Sequence, residues 1–101
     1  MRKITQDAID AFNSQRPFKR NNTEVRIENS ESHMLLHGNT IAISDGPRVL
    51  ITHGGWPTPT TKERLNGITG VNIHQKDFQW YLNGEAWNGG FIMVFPDGSL
   101  M

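Results

Sequence analysis

Between Thr23 and Thr52 the chain alternates apolar and polar residues in four short runs, each closed by turn-forming residues. Val25 and Ile27 stand on one side of the first run, with Glu24, Arg26 and Glu28 on the other. Asn29-Ser30-Glu31-Ser32 reads as a turn. Met34 and Leu36 share the inward face of the second run, His37-Gly38-Asn39 turns the chain again, and Ile41 and Ile43 face inward in the third. Asp45-Gly46 is a hairpin signal, Pro47 stops pairing beyond it, and Val49 and Ile51 carry the fourth run. Alternation with a period of two is the signature of a half-buried strand. Four such strands joined by tight turns predict an antiparallel meander, polar on one face.

The flanking segments complete an α+β reading. Ile4, Ala8, Ala11 and Phe12 recur at helical spacing, with Thr5 as the expected cap, and Pro17 ends the pattern. This N-terminal helix is expected to cover one face of the sheet. After the meander, Pro57 and Pro59 stiffen a loop. Thr60-Thr61-Lys62-Glu63 then fits a capping box, with Thr60 as N-cap and Glu63 reaching back. A short central helix follows, anchored by Leu65 and stopped by Asn66-Gly67. Val71 and Ile73 resume alternation. Phe78, Trp80 and Leu82 share a face beyond the Gln75-Lys76-Asp77 turn, giving a C-terminal β-hairpin, and Phe91 to Phe95 suits a last strand. The 101 residues fit a single domain over 1–101.

Composition narrows the chemistry. Ten acidic residues balance ten basic ones, so no global field draws the protein to nucleic acid or membrane. There is no cysteine, hence no disulfide, thiolate or cysteine-metal site. Arg2 and Lys3 precede no apolar stretch, so no signal peptide is expected, and the run Phe91 to Phe95 is too short to cross a bilayer. His33 and His37 have the spacing of a helical metal pair. On a strand they stand roughly 13 Å apart and cannot share an ion. No nucleophile elbow, paired-carboxylate or phosphate-loop motif stands out, so no cofactor is expected and the chain reads as a non-enzyme. A small hydrolase built on His53 or His74 is the weaker alternative.

The stretch His53 to Gly67 concentrates what remains. Its helix start favours an anion, Thr58, Thr60 and Thr61 offer hydroxyls, and Lys62 and Arg64 add positive charge. Satisfying the helix end alone would also explain the threonines and leave Lys62 and Arg64 solvated. Trp56 either plugs the core beneath the loop or stands outward as an anchor. Tyr81 falls opposite Trp80 and is expected at the surface, near Lys76. Trp56, Thr58, Thr60, Thr61, Lys62, Arg64, Lys76 and Tyr81 are therefore the expected partner-binding residues.

Leu36-His37-Gly38-Asn39, Gly55-Trp56-Pro57, Thr60-Thr61-Lys62 with Arg64-Leu65-Asn66, Ile73-His74-Gln75-Lys76 and Trp80-Tyr81-Leu82-Asn83-Gly84 together make a pattern. It resembles a family of small tailed-bacteriophage proteins over roughly residues 1 to 90. The resemblance implies expression in the cytoplasm of an infected bacterium. It also implies an accessory role by binding, with a host protein as partner and inhibition of host defence or of a nucleic-acid-processing machine as the outcome. Nucleic acid held by a basic-aromatic surface around Lys62 and Arg64 is the alternative. No membrane partner is expected, and open sheet edges leave self-association available.

Overall fold

A computed structural model describes all residues, 1–101. Helix α1 covers Lys3–Asn13. Strands β1 (Phe18–Arg20), β2 (Thr23–Glu28), β3 (Glu31–Leu36), β4 (Asn39–Ser44) and β5 (Val49–Ile51) follow, then helix α2 (Pro59–Leu65). Strands β6 (Ile73–Lys76), β7 (Gln79–Leu82), β8 (Glu85–Ala86) and β9 (Ile92–Val94) complete the chain. The α+β arrangement is the expected one. The sheet is larger than the meander alone: six antiparallel strands in the order β1-β2-β3-β4-β5-β9, with a separate three-stranded sheet β6-β7-β8.

The inner face of the large sheet carries Val25, Met34, Ala42 and Ile51, which are register partners in turn across β2 to β5. Helix α1 lies on this face and buries Ile4, Thr5, Ala8, Ile9, Ala11 and Phe12. Its first turn differs from expectation. The N-cap is Arg2, with no side-chain cap, and Thr5 lies one turn inside the helix and is buried. The third strand also differs. A bulge between Met34 and Leu35 makes Ile41 an extra residue, so Ala42 and Ser44 face inward and Ile43 pairs with His33 on the outer face. One inserted residue exchanges the two faces of a strand.

Two strands have no alternating signature. β1 is a three-residue edge bearing Lys19 and Arg20, charges that discourage pairing with another chain. β9 pairs with β5, and the C-terminal residues fold back over its free edge: Met101 and Met93 exchange backbone hydrogen bonds and Leu100 bridges Val94. The small sheet is thus carried on an excursion that leaves at Ile51 and returns at its register partner Ile92. No helix is long and apolar enough to cross a membrane.

Candidate functional site

The loop after β5 is built by hydrogen bonds within itself and to Gly89. The Thr52 hydroxyl donates to the Gly89 carbonyl at 2.7 Å and accepts from Gly54 N–H at 3.2 Å. The His53 N–H also reaches the Gly89 carbonyl, and Gly55 N–H donates to His53 Nδ1 at 2.9 Å. A side chain at Gly89 would overlap the imidazole, since a Cβ there would lie 1.8 Å from His53 Cδ2. Glycine at 89 lets His53 lie flat on the backbone, edge-on to Trp80 at 5.9 Å and tilted against Trp87 at 6.3 Å.

Helix α2 begins two residues earlier than the expected capping box. Thr58, not Thr60, is the N-cap, and its hydroxyl oxygen accepts from Thr61 N–H. Pro59 decides this: its fixed φ suits the first helical position and its missing N–H costs nothing there. The Thr61 hydroxyl is buried and donates to the Trp56 carbonyl at 2.6 Å, locking the loop to the helix. Thr58 and Thr61 are therefore engaged internally, and Thr60 is half-buried. Glu63 does not reach back to its own helix start. It accepts from the Thr5 hydroxyl, from Arg2 N–H at 3.3 Å and from Arg64 at 2.5 Å.

Arg64 departs furthest from the surface expected of it. It is 1% exposed, and its guanidinium donates to Thr23 at 3.0 Å, to Thr5 at 2.6 Å and to Glu63. The helical spacing of Thr61, Arg64 and Leu65 puts all three on the buried face of α2. Burial lowers the Arg64 pKa while Glu63 opposes the shift. Burial also pushes the Glu63 carboxyl upward. Its hydrogen bonds from Thr5 and Arg2, together with the Arg64 charge, outweigh that and hold it below the ordinary glutamate value. This cluster joins α1, α2 and β2 and holds the Arg64 charge inside the fold.

Lys62 takes the opposite side of α2. Its ammonium donates to Gln75 Oε1 at 3.0 Å and lies 5.6 Å from the Trp80 ring centre. On the neighbouring hairpin, His74 and Tyr81 are register partners with rings stacked at 5.2 Å, and Lys76 is exposed. Trp56 points outward, 51% exposed, which resolves its two sequence alternatives.

Phe78 was expected on a strand, sharing a face with Trp80 and Leu82. It is instead 96% exposed at the tip of the β6–β7 hairpin. Lys76 pairs with Gln79, so the connection is the two-residue loop Asp77-Phe78, with φ of 51° and 68°. Such a turn requires positive φ at both positions and favours Asn-Gly or Asp-Gly. A phenylalanine there costs about 1–2 kcal/mol of backbone energy. The available signal was the aspartate, a common first residue of this turn, masked by the matching phase of Phe78.

These pieces line a cleft of about 330 Å³ formed by His53, Pro57, Gln75, Phe78, Gln79, Trp80, Trp87 and Asn88. Of the expected site residues, Lys62 meets it through Gln75 and Trp80, while Trp56 precedes its wall at Pro57. A larger groove of about 620 Å³ lies between the end of α1 and the β4–β5 turn. Its Ser44 and Asp45 are held by Gly46 and Arg48, so it presents less unsatisfied chemistry.

The family model of the Kyanoviridae Gp96 protein matches residues 1–99, and the chain belongs to that bacteriophage family. No curated protein and no solved structure matches it.

Proposed function

We propose that this Kyanoviridae Gp96 family member acts by binding, not catalysis, and docks a host protein through Trp56, Pro57 and Phe78. The cytoplasm of the infected cell is where it would act, and inhibition of a defence or nucleic-acid-processing machine is the outcome proposed. One observation carries the reading. Phe78 is fully exposed in a backbone conformation that disfavours it, so neither burial nor turn geometry accounts for it. Strain retained at a surface position points to a role outside the fold. Trp56 adds a second exposed aromatic on the adjoining loop, and aromatic anchors dominate protein interfaces. The nucleic-acid alternative retains Lys62, Lys76 and Tyr81 but loses Arg64 to the interior.

The test is affinity capture from host lysate with wild type, Trp56→Ala and Phe78→Gly, each with and without nuclease. A nuclease-resistant host protein held by wild type and released by both variants supports the proposal. Phe78→Gly relieves backbone strain, so its loss of capture would not reflect unfolding. Capture that ignores both substitutions, or that disappears with nuclease, overturns it.

A further inference from the structure

Asparagine followed by glycine is the dipeptide most open to spontaneous deamidation. Glycine has no side chain to shield its amide nitrogen from the asparagine carboxamide. The chain holds three such pairs, Asn66-Gly67, Asn83-Gly84 and Asn88-Gly89. An unfolded chain would age them at similar rates, but the fold treats them differently.

The reaction turns the side-chain amide toward the next residue's nitrogen, and every hydrogen bond held by that amide resists the turn. Asn66 is locked on both sides: Nδ2 donates to the Ile73 carbonyl at 3.0 Å, and Oδ1 accepts from Ile73 N–H at 2.6 Å. The Gly67 N–H is engaged as well, donating to the Arg64 carbonyl at 3.2 Å. Asn83 holds three bonds, with Asn72, Gly70 and Gly98. Asn88 is exposed and holds one, accepted by its Oδ1 from Gly90 N–H at 2.8 Å. Its Nδ2 donates to nothing in the protein. The Thr52 hydroxyl and His53 N–H clamp the carbonyl of Gly89 and leave its N–H without a partner. Exposure alone would not select Asn88, since Asn66 is exposed too.

We infer that Asn88 is a site of selective deamidation in the folded protein. Hydroxide takes the Gly89 amide proton, and the nitrogen attacks Asn88 Cγ. The N–Cγ bond forms, the Cγ–Nδ2 bond breaks, and ammonia leaves with a proton from water, which restores the hydroxide. Water then opens the five-membered imide. Cleavage of its N–Cγ bond gives aspartate; cleavage at the main-chain carbonyl gives isoaspartate. Either product sets a carboxylate in the wall of a cleft whose lining otherwise has no Asp, Glu, Lys or Arg. Isoaspartate also adds a methylene to the main chain just before Gly89. That residue anchors Thr52 and His53 and leaves room for the imidazole against Trp80 and Trp87. Ageing at Asn88 therefore reaches the aromatic wall of the cleft.

The test holds the full chain in mildly alkaline buffer, folded and in guanidinium. Peptide mapping that separates aspartyl from isoaspartyl forms follows each Asn-Gly pair. In the folded chain Asn88 should convert at least about tenfold faster than Asn66 or Asn83, the factor expected when one hydrogen bond fewer must break. In guanidinium the three rates should converge. Equal rates in the folded chain, a faster Asn66 or Asn83, or an Asn88 that stays intact while the unfolded chain converts overturns the inference. Two-dimensional NMR reads the consequence. The Trp80 and Trp87 indole signals should move in the isoaspartyl fraction and stay near their places in Asn88→Asp, which keeps an acceptor for Gly90. Indole signals unmoved by isoaspartate would overturn the reach into the cleft.

Discussion

The small sheet turns twice, each time through a two-residue loop with both residues at positive φ. In the β7–β8 turn the pair is Asn83-Gly84, with φ of 51° and 88°. Asn83 Oδ1 accepts from Asn72 N–H, and its Nδ2 donates to the carbonyls of Gly70 and Gly98, all at 2.8 Å. That turn ties the hairpin to the preceding loop and to the C-terminal tail. In the β6–β7 turn the pair is Asp77-Phe78. The phenylalanine occupies the position that glycine would hold more easily and projects into solvent. One turn is fitted for stability; the other gives up stability for an exposed ring. The same division separates Arg64, buried and paired, from Lys62, which stays on the aromatic side of α2.

The division is open to attack at several points. Arg64→Ala, at the centre of the internal set, should lower stability by about 3–5 kcal/mol in denaturant unfolding, because it leaves Glu63 without its charge partner among buried hydroxyls. A loss under 1 kcal/mol would mean the cluster is not stabilising. Asn83→Ala removes three hydrogen bonds and should cost about 2–3 kcal/mol. Amide exchange should then rise first at Gly98 to Met101, and a uniform rise would contradict the tail attachment.

Acid should weaken the internal set around Arg64. Glu63 has a depressed pKa, so its contribution is complete above the ordinary glutamate value and is lost as pH falls through the folded value. The melting temperature should decline below about pH 4. Glu63→Gln should flatten that decline, and an unchanged slope would exclude Glu63 as its source. The smallest effect has the opposite sign. Phe78→Gly should raise stability by about 1 kcal/mol, the relief of backbone strain less the added freedom of the unfolded chain. A loss of stability would show that Phe78 does serve the fold.

The amphipathic face of α1 and most of the strand pattern were legible because side-chain periodicity is local. The bulge at Met34 and Leu35 was not, since it depends on how β3 and β4 align, and it reversed the placement of Ile43. Phe78 shared its phase with Trp80 and Leu82, and only strand register shows that it belongs to the turn. Arg64 could have been placed inside from its spacing to Thr61 and Leu65, but its charge argued for solvent. Trp56 and Lys62 were named from sequence as partner-binding candidates, and that role belongs to the proposal. The cleft itself was not legible, because it forms only where the β6–β7 hairpin, Trp87 and Asn88 meet the loop of His53.

The excursion from Ile51 to Ile92 bears on the order in which the protein folds. Strands β1 to β5 are joined by short connections and can pair as soon as each hairpin is made. β9 must first bring the two ends of residues 52–91 together, and such closure is entropically costly and slow. Both walls of the cleft lie inside that span. On a growing chain the five-stranded sheet is available early, while the excursion is clasped only after β9 has emerged and reached β5. The surface that would engage a partner is therefore completed late, after most of its supporting framework has formed.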